Sequence, residues 1–131
     1  MSTRPKPASA GANQTERCPV RDVLDHIGDQ WSFLALLSLA GGTLRFSVLQ
    51  RTIGDISKRM LAETLRRLER DGYAQRTVYA SVPPKVEYKL TPLGRSLVQQ
   101  LQPLVSWADT HHAQVRKARK AYTPPAKIPA L

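Results

Sequence analysis

Cysteine is almost missing from this chain: Cys18 is the single one in 131 residues. It excludes an intrachain disulfide and any multi-cysteine zinc site. Long apolar runs are missing too. Nothing approaches the roughly 18 consecutive apolar residues that suggest a bilayer span, and the opening "MSTRPKPASAGANQTER" lacks the apolar centre of a signal peptide. A cytoplasmic protein without a membrane partner is expected. There is no Gly-rich phosphate loop, no plausible metal cluster and no nucleophile motif around Cys18, so neither an enzyme nor a bound cofactor or metal is expected. The neighbours His111 and His112 would point about 100° apart on a helix and cannot chelate one metal well. Acidic residues are scarce, ten Asp plus Glu against twenty Lys plus Arg, which leaves a net charge of +10. That balance favours a polyanion. Glu16, Asp22, Asp25 and Asp29 make the early part acidic, and the stretch from Arg45 to Arg95 carries most of the basic excess.

The patterning predicts one domain. Residues 1–16 are Pro-, Ser- and Ala-rich without hydrophobic periodicity and read as a mobile arm. Pro19 suits the first position of a helix, where a missing N–H is harmless, and Val20, Val23, Leu24 and Ile27 form its apolar face. Gly28-Asp29 breaks it. "WSFLALLSLAGG" is apolar on almost every side, as a central helix would be, and "TLRF" leaves room for a short strand. Phe46, Leu49 and Ile53 make "FSVLQRTI" a short amphipathic helix. Ser57 is a credible N-cap for the next one.

That next helix lies in "GDISKRMLAETLRRLERDGY", residues 54–73, with five Lys or Arg. At 100° per residue Met60, Thr64, Leu65 and Leu68 share the side of Leu61, whereas Arg59, Ala62, Glu63, Arg66 and Arg70 cluster opposite. "YAQRTVYA" and "KVEYKL" flank "SVPP" as a two-stranded hairpin. Thr91-Pro92 then starts a long helix with a stripe of Leu93, Leu97, Leu101, Leu104 and Ala108, in which Pro103 should produce a kink. No later element can bury the stripe, so a second subunit is expected to cover it. Residues 17–112 would form the domain and 113–131 a basic, Pro-containing tail carrying Arg116, Lys117, Arg119 and Lys120. Trp31, Phe46, Tyr73 and Trp107 read as core or interface packing rather than as platforms for stacked bases.

Two short helices with a tight turn, the second basic, followed by a hairpin, is the order of a winged helix-turn-helix. The expected class is α+β, mainly α. The sequence resembles the HxlR family of bacterial winged-helix transcription regulators, relatives of the MarR group. The carriers are "CPV" at 18–20, "IGDQW" at 27–31, "LRFSVLQRTIGDISKRMLAETLRRLERDGY" at 44–73 and, most specific, "VPPKVEYKLTPLGRSL" at 82–97. The resemblance implies a homodimer through the first and last helices, with Val20, Leu24, Leu97, Leu101, Leu104, Trp107 and Ala108 as interface candidates. It also implies double-stranded DNA as partner, read as a pseudo-palindrome with half-sites on the order of 10 bp apart, and repression as the commoner mode.

Ser57 and Lys58 are the candidate phosphate contacts at the helix start, and Arg59 and Arg66 the candidate base or phosphate readers. Arg70 is a weaker candidate. Arg45, Arg76 and Lys85 are the flank and wing candidates. The chain departs from the family in having Gln30 where most relatives have Lys, and Ala62 and Glu63 where Thr and Gln are frequent. In a groove Ala62 suits a thymine methyl and Glu63 accepts from cytosine N4; alternatively Glu63 pairs with Arg59 or Arg67 and touches no base. Cys18 precedes a helix beside Arg17 and Arg21, features that favour a thiolate, and a cysteine here is the sensor in redox-responsive relatives. The other reading is an inert cysteine at the dimer interface. Two functions compete with a thiol-switched repressor: a regulator released by a small-molecule effector with Cys18 silent, and a sequence-neutral architectural DNA binder.

Overall fold

A computed structural model describes residues 18–126. The expected arm, 1–16, and the end of the expected tail, 127–131, lie outside the described residues. In chain order the elements are α1 (Pro19–Ile27), α2 (Gln30–Leu39), β1 (Leu44–Arg45), α3 (Phe46–Ile53), α4 (Lys58–Arg70), β2 (Ala74–Tyr79), β3 (Lys85–Leu90) and α5 (Pro92–Ala121). The fold is mainly helical, with one small antiparallel sheet in the order β1-β3-β2. In that sheet Leu44 pairs with Tyr88, and the hairpin register runs from Ala74 opposite Leu90 to Tyr79 opposite Lys85.

The chain divides after Val98 into two compact units. In the first, α2 is central: it packs on α1, α3, α4 and β3, which is why its sequence has no polar side. Leu36 and Leu39 of α2, Leu49 of α3 and Leu61, Leu65 and Leu68 of α4 are fully buried. Each such leucine contributes on the order of 2 kcal/mol relative to an exposed one. The second unit contains most of α5, which continues as one helix through Pro103. Its end lies beyond residue 112, the expected limit of the domain. The helix runs on to Ala121, so Arg116, Lys117, Arg119 and Lys120 are helical. "AQVRKARKA" contains mostly good helix formers, and no Pro intervenes before Pro124.

The joint between α4, the hairpin and α5 is built by "DGY" and "LTPLG". Gly72 has φ +86, and the Gly72 and Tyr73 N–H groups donate to Glu69 O and Leu68 O, both at about 3 Å. This is a Schellman ending that needs the left-handed residue. Thr91 Oγ1 accepts from Gly94 N at 3.0 Å and donates to Gly72 O, while Thr91 N donates to Tyr73 O. A Cβ on Gly94 would overlap the Tyr73 carbonyl. The motif therefore locks the start of α5 onto the end of α4.

Candidate DNA-binding surface

The turn between α3 and α4 is held by side chain and backbone together. Gln50 Nε2 donates to Ile56 O at 3.1 Å, Ile56 is buried, and Ser57 Oγ accepts from Met60 N at 3.0 Å. The expected N-cap is thus present, contributing about 1 kcal/mol. With Leu61, Thr64, Leu65 and Leu68 turned into the core, Lys58, Arg59 and Arg66 are left exposed.

Glu63 has a partner within the helix. Arg59 Nε lies 3.5 Å from Glu63 Oε1, with the Arg59 side chain 90% exposed. Such a pair adds only a few tenths of a kcal/mol and separates readily. Arg67, by contrast, faces back: its guanidinium is 3.8 Å from Asp29, whose carboxylate caps α2 by accepting from Ser32 N at 3.0 Å. Partial burial pushes the Asp29 carboxyl upward, but the hydrogen bonding of Ser32 and the charge of Arg67 outweigh it and hold it below its ordinary value. Arg67 anchors α4 to the start of α2. No local signal announces this, since Asp29 lies 38 positions upstream.

Arg70 is placed differently from the other candidates. It donates to Asp71 Oδ1 at 3.1 Å and lines a depression of about 430 Å³ with Asp22, Val23, His26, Asp71 and Tyr73. Burial, and to a lesser extent the charges of Asp71 and Asp22, push the Tyr73 hydroxyl upward. Arg66 and Ala62 instead share a depression of about 310 Å³ with Glu69, Arg76 and Tyr88. One cation of the helix and one of the wing therefore border a single concavity. Arg45, exposed, is opposite Glu87 in the sheet register.

On the wing Lys85 has an aromatic neighbour. Its Nζ sits 5.7 Å from the centre of the Tyr79 ring, and the Tyr79 hydroxyl is pushed upward by its hydrogen bond to Glu87 and by that residue's charge. Lys85, Tyr79 and Glu87 thus interlock on one face of the hairpin.

Cys18 is the N-cap residue of α1, half-buried, with its carbonyl accepting from Asp22 N at 2.9 Å. Val20 and Leu24 on α1 are more than half exposed, as are Leu104 and Trp107 on α5, while Leu97 and Leu101 are half-buried and Ala108 is exposed. His111 stacks on Trp107 with ring centres 4.7 Å apart. Among the described residues no group of three or more His, Cys, Asp or Glu could hold a metal, and no helix is long and apolar enough to cross a membrane.

A core-buried helix pair with a basic outer face, flanked by a β-hairpin wing, defines a winged helix-turn-helix DNA-binding domain. Residues 26–116 match the HxlR-like helix-turn-helix family, and the chain belongs to that family. The helix-turn-helix-type transcriptional regulator YtfH of Escherichia coli (strain K12) is 44% identical over 104 residues, covering 79% of this chain and 82% of its own length. YdeP of Bacillus subtilis (strain 168), also a helix-turn-helix-type regulator, is 42% identical over 109 residues, 81% of this chain and 85% of its own. Among solved structures, ytfH from Salmonella typhimurium superposes with a TM-score of 0.73 at 44% identity, covering 80% of this chain and 94% of that one. The redox regulator HypR in its reduced form gives 0.72 at 37% identity, covering 76% and 98%. The protein is a transcriptional regulator with a helix-turn-helix DNA-binding domain.

Proposed function

We propose that this regulator is a homodimeric, cytoplasmic repressor that reads a pseudo-palindromic operator and is released from it by oxidation of Cys18. The observation that carries the DNA-reading part is the shared concavity of Ala62, Arg66, Glu69, Arg76 and Tyr88, in which two arginines, one from the recognition helix and one from the wing, outnumber one carboxylate. Ser57 and Lys58 meet a phosphate at the N-terminus of α4, where the helix dipole favours an anion. Arg59, Ala62, Glu63 and Arg66 face the major groove, with Glu63 leaving Arg59 to accept from a cytosine amino group. The exposed apolar side chains Val20, Leu24, Leu104 and Trp107, with Leu97, Leu101 and Ala108, supply the dimer contact.

Cys18 suits a thiol switch because it stands at the head of α1, half-buried and unpaired. The Cys18 thiolate attacks a peroxide, giving a sulfenic acid and hydroxide, and that sulfenic acid condenses with the second subunit's thiol to a disulfide and water. The likeness to a redox regulator solved in its oxidised form (TM-score 0.67, 41% identity, covering 71% of this chain and 96% of that one) supports this reading. A second reading, release by a small-molecule effector with Cys18 silent, is favoured by the depression between α1 and the end of α4.

The test is a titration of the full chain against the DNA upstream of its own gene and its divergent neighbour, with non-specific competitor, in reductant and after mild peroxide or quinone. Tight binding that oxidant abolishes, and that Cys18→Ser makes insensitive, is expected. Release by oxidant that survives Cys18→Ser would move the effector elsewhere. Equal affinity for operator and competitor would replace the repressor with a sequence-neutral DNA binder.

A further inference from the structure

The wing tip is built in a way that charge does not explain. Residues 80–84, "ASVPP", carry no charge, and the one hydroxyl among them is engaged: Ser81 Oγ donates to Pro83 O at 2.7 Å. Val82 is 101% exposed, the most exposed large apolar side chain among the described residues. Along β2 the side chains alternate faces, so Arg76 and Val78 share one face while Thr77 and Tyr79 share the other. Arg76 borders the concavity with Arg66 and Ala62 of α4, and Val78, half exposed, continues that face toward the tip. The nearest wing cation, Lys85, is held over Tyr79, which stands on the opposite face. The side of the wing that looks along α4 therefore has one arginine at its base and only apolar groups beyond it.

We propose that Val82 is an apolar wedge that enters the minor groove beside the half-site and makes the flanking base step a determinant of affinity. This rests on the DNA-reading function proposed above. The tip, whose side chains offer no cation and no hydroxyl donor that is not already engaged, is poorly suited to neutralising phosphate or donating to base edges. It can press a stiff hydrocarbon surface against sugars and a base step, as wedge residues of minor-groove binders do. Valine has few rotamers to lose, and Pro83 and Pro84 restrict the tip before it docks. The energy of opening a step depends on its sequence, being least at pyrimidine–purine steps and greater at stiff ones. Specificity at a position with no hydrogen-bonded base contact follows.

The experiment selects duplexes from a random pool with the full chain, then varies only the step under the wing and places 2-aminopurine there. For the wild type, a pyrimidine–purine flank should bind about tenfold more tightly than a stiff A-tract flank, because opening that step costs less, with a rise in 2-aminopurine fluorescence on binding. Val82→Ser should bind both flanks equally and leave the fluorescence unchanged, and Val82→Leu should keep both effects. At a fully exposed position neither variant threatens folding, and circular dichroism checks this. Equal behaviour of wild type and Val82→Ser on selected duplexes would overturn the wedge while leaving operator recognition intact. Failure of the wild type to enrich any duplex would instead overturn the operator reading, and the wedge with it.

Discussion

Replacing Arg66 and Arg76 by Gln, singly and together, probes the concavity that joins α4 to the wing. If each guanidinium neutralises one phosphate per subunit, a dimer loses two such contacts per substitution. At about 0.9 per phosphate in the slope of log K against log salt, each single variant flattens the slope by about 1.8, and the double variant by about 3.6 if the phosphates are separate. Because both arginines border one depression of about 310 Å³, a shared phosphate is also possible, and the double variant would then flatten the slope by little more than either single one. Over a fourfold rise in salt, 3.6 in slope corresponds to about a 150-fold difference in affinity lost, well within the range of fluorescence anisotropy. The assay is a titration of labelled duplex at several salt concentrations. An unchanged slope in the double variant would refute the placement of this concavity against the DNA backbone.

Leu65→Ala, in the buried face of α4, should lower unfolding free energy by roughly 3 to 5 kcal/mol in urea titration. Thr91→Ala removes the cap of α5 and its bond to Gly72 and should lose about 1 to 2 kcal/mol by the same measurement. Gly94→Ala should be worse than a helix propensity scale implies, because its methyl meets the Tyr73 carbonyl. Asp29 has a carboxyl pKa lowered by folding from 3.8; its stabilising contribution is present above the unfolded value and lost as pH falls through the folded one. Urea midpoints from pH 6 down to pH 3 should fall less steeply for Asp29→Asn than for the wild type.

The elements of the DNA-binding domain were readable because each rests on local chemistry. Period-3.6 leucines on α4, a Ser57 cap, glycine at the end of α4 and a Pro-rich hairpin loop act within a few residues of themselves. Much of what escaped depended on which groups the fold brings beside each cation. Arg67 looks like one more recognition-helix cation until Asp29 is brought beside it. Arg70 is on the outward side by helical angle, yet it pairs with Asp71 and borders a depression shared with α1. Lys85 has an aromatic neighbour, Tyr79, that only the strand register reveals. The continuation of α5 past residue 113 was hidden by the Pro residues farther on, although the intervening residues favour a helix.

Sequence-specific recognition by the outer face of α4 is tested most directly by one ratio: affinity for the best duplex selected from a random pool over affinity for a scrambled duplex of equal length, at physiological salt. A ratio of about a thousand or more, with an enriched sequence that is two-fold symmetric, is expected of a dimeric regulator. A ratio near one, with steep salt dependence on both duplexes, would contradict it.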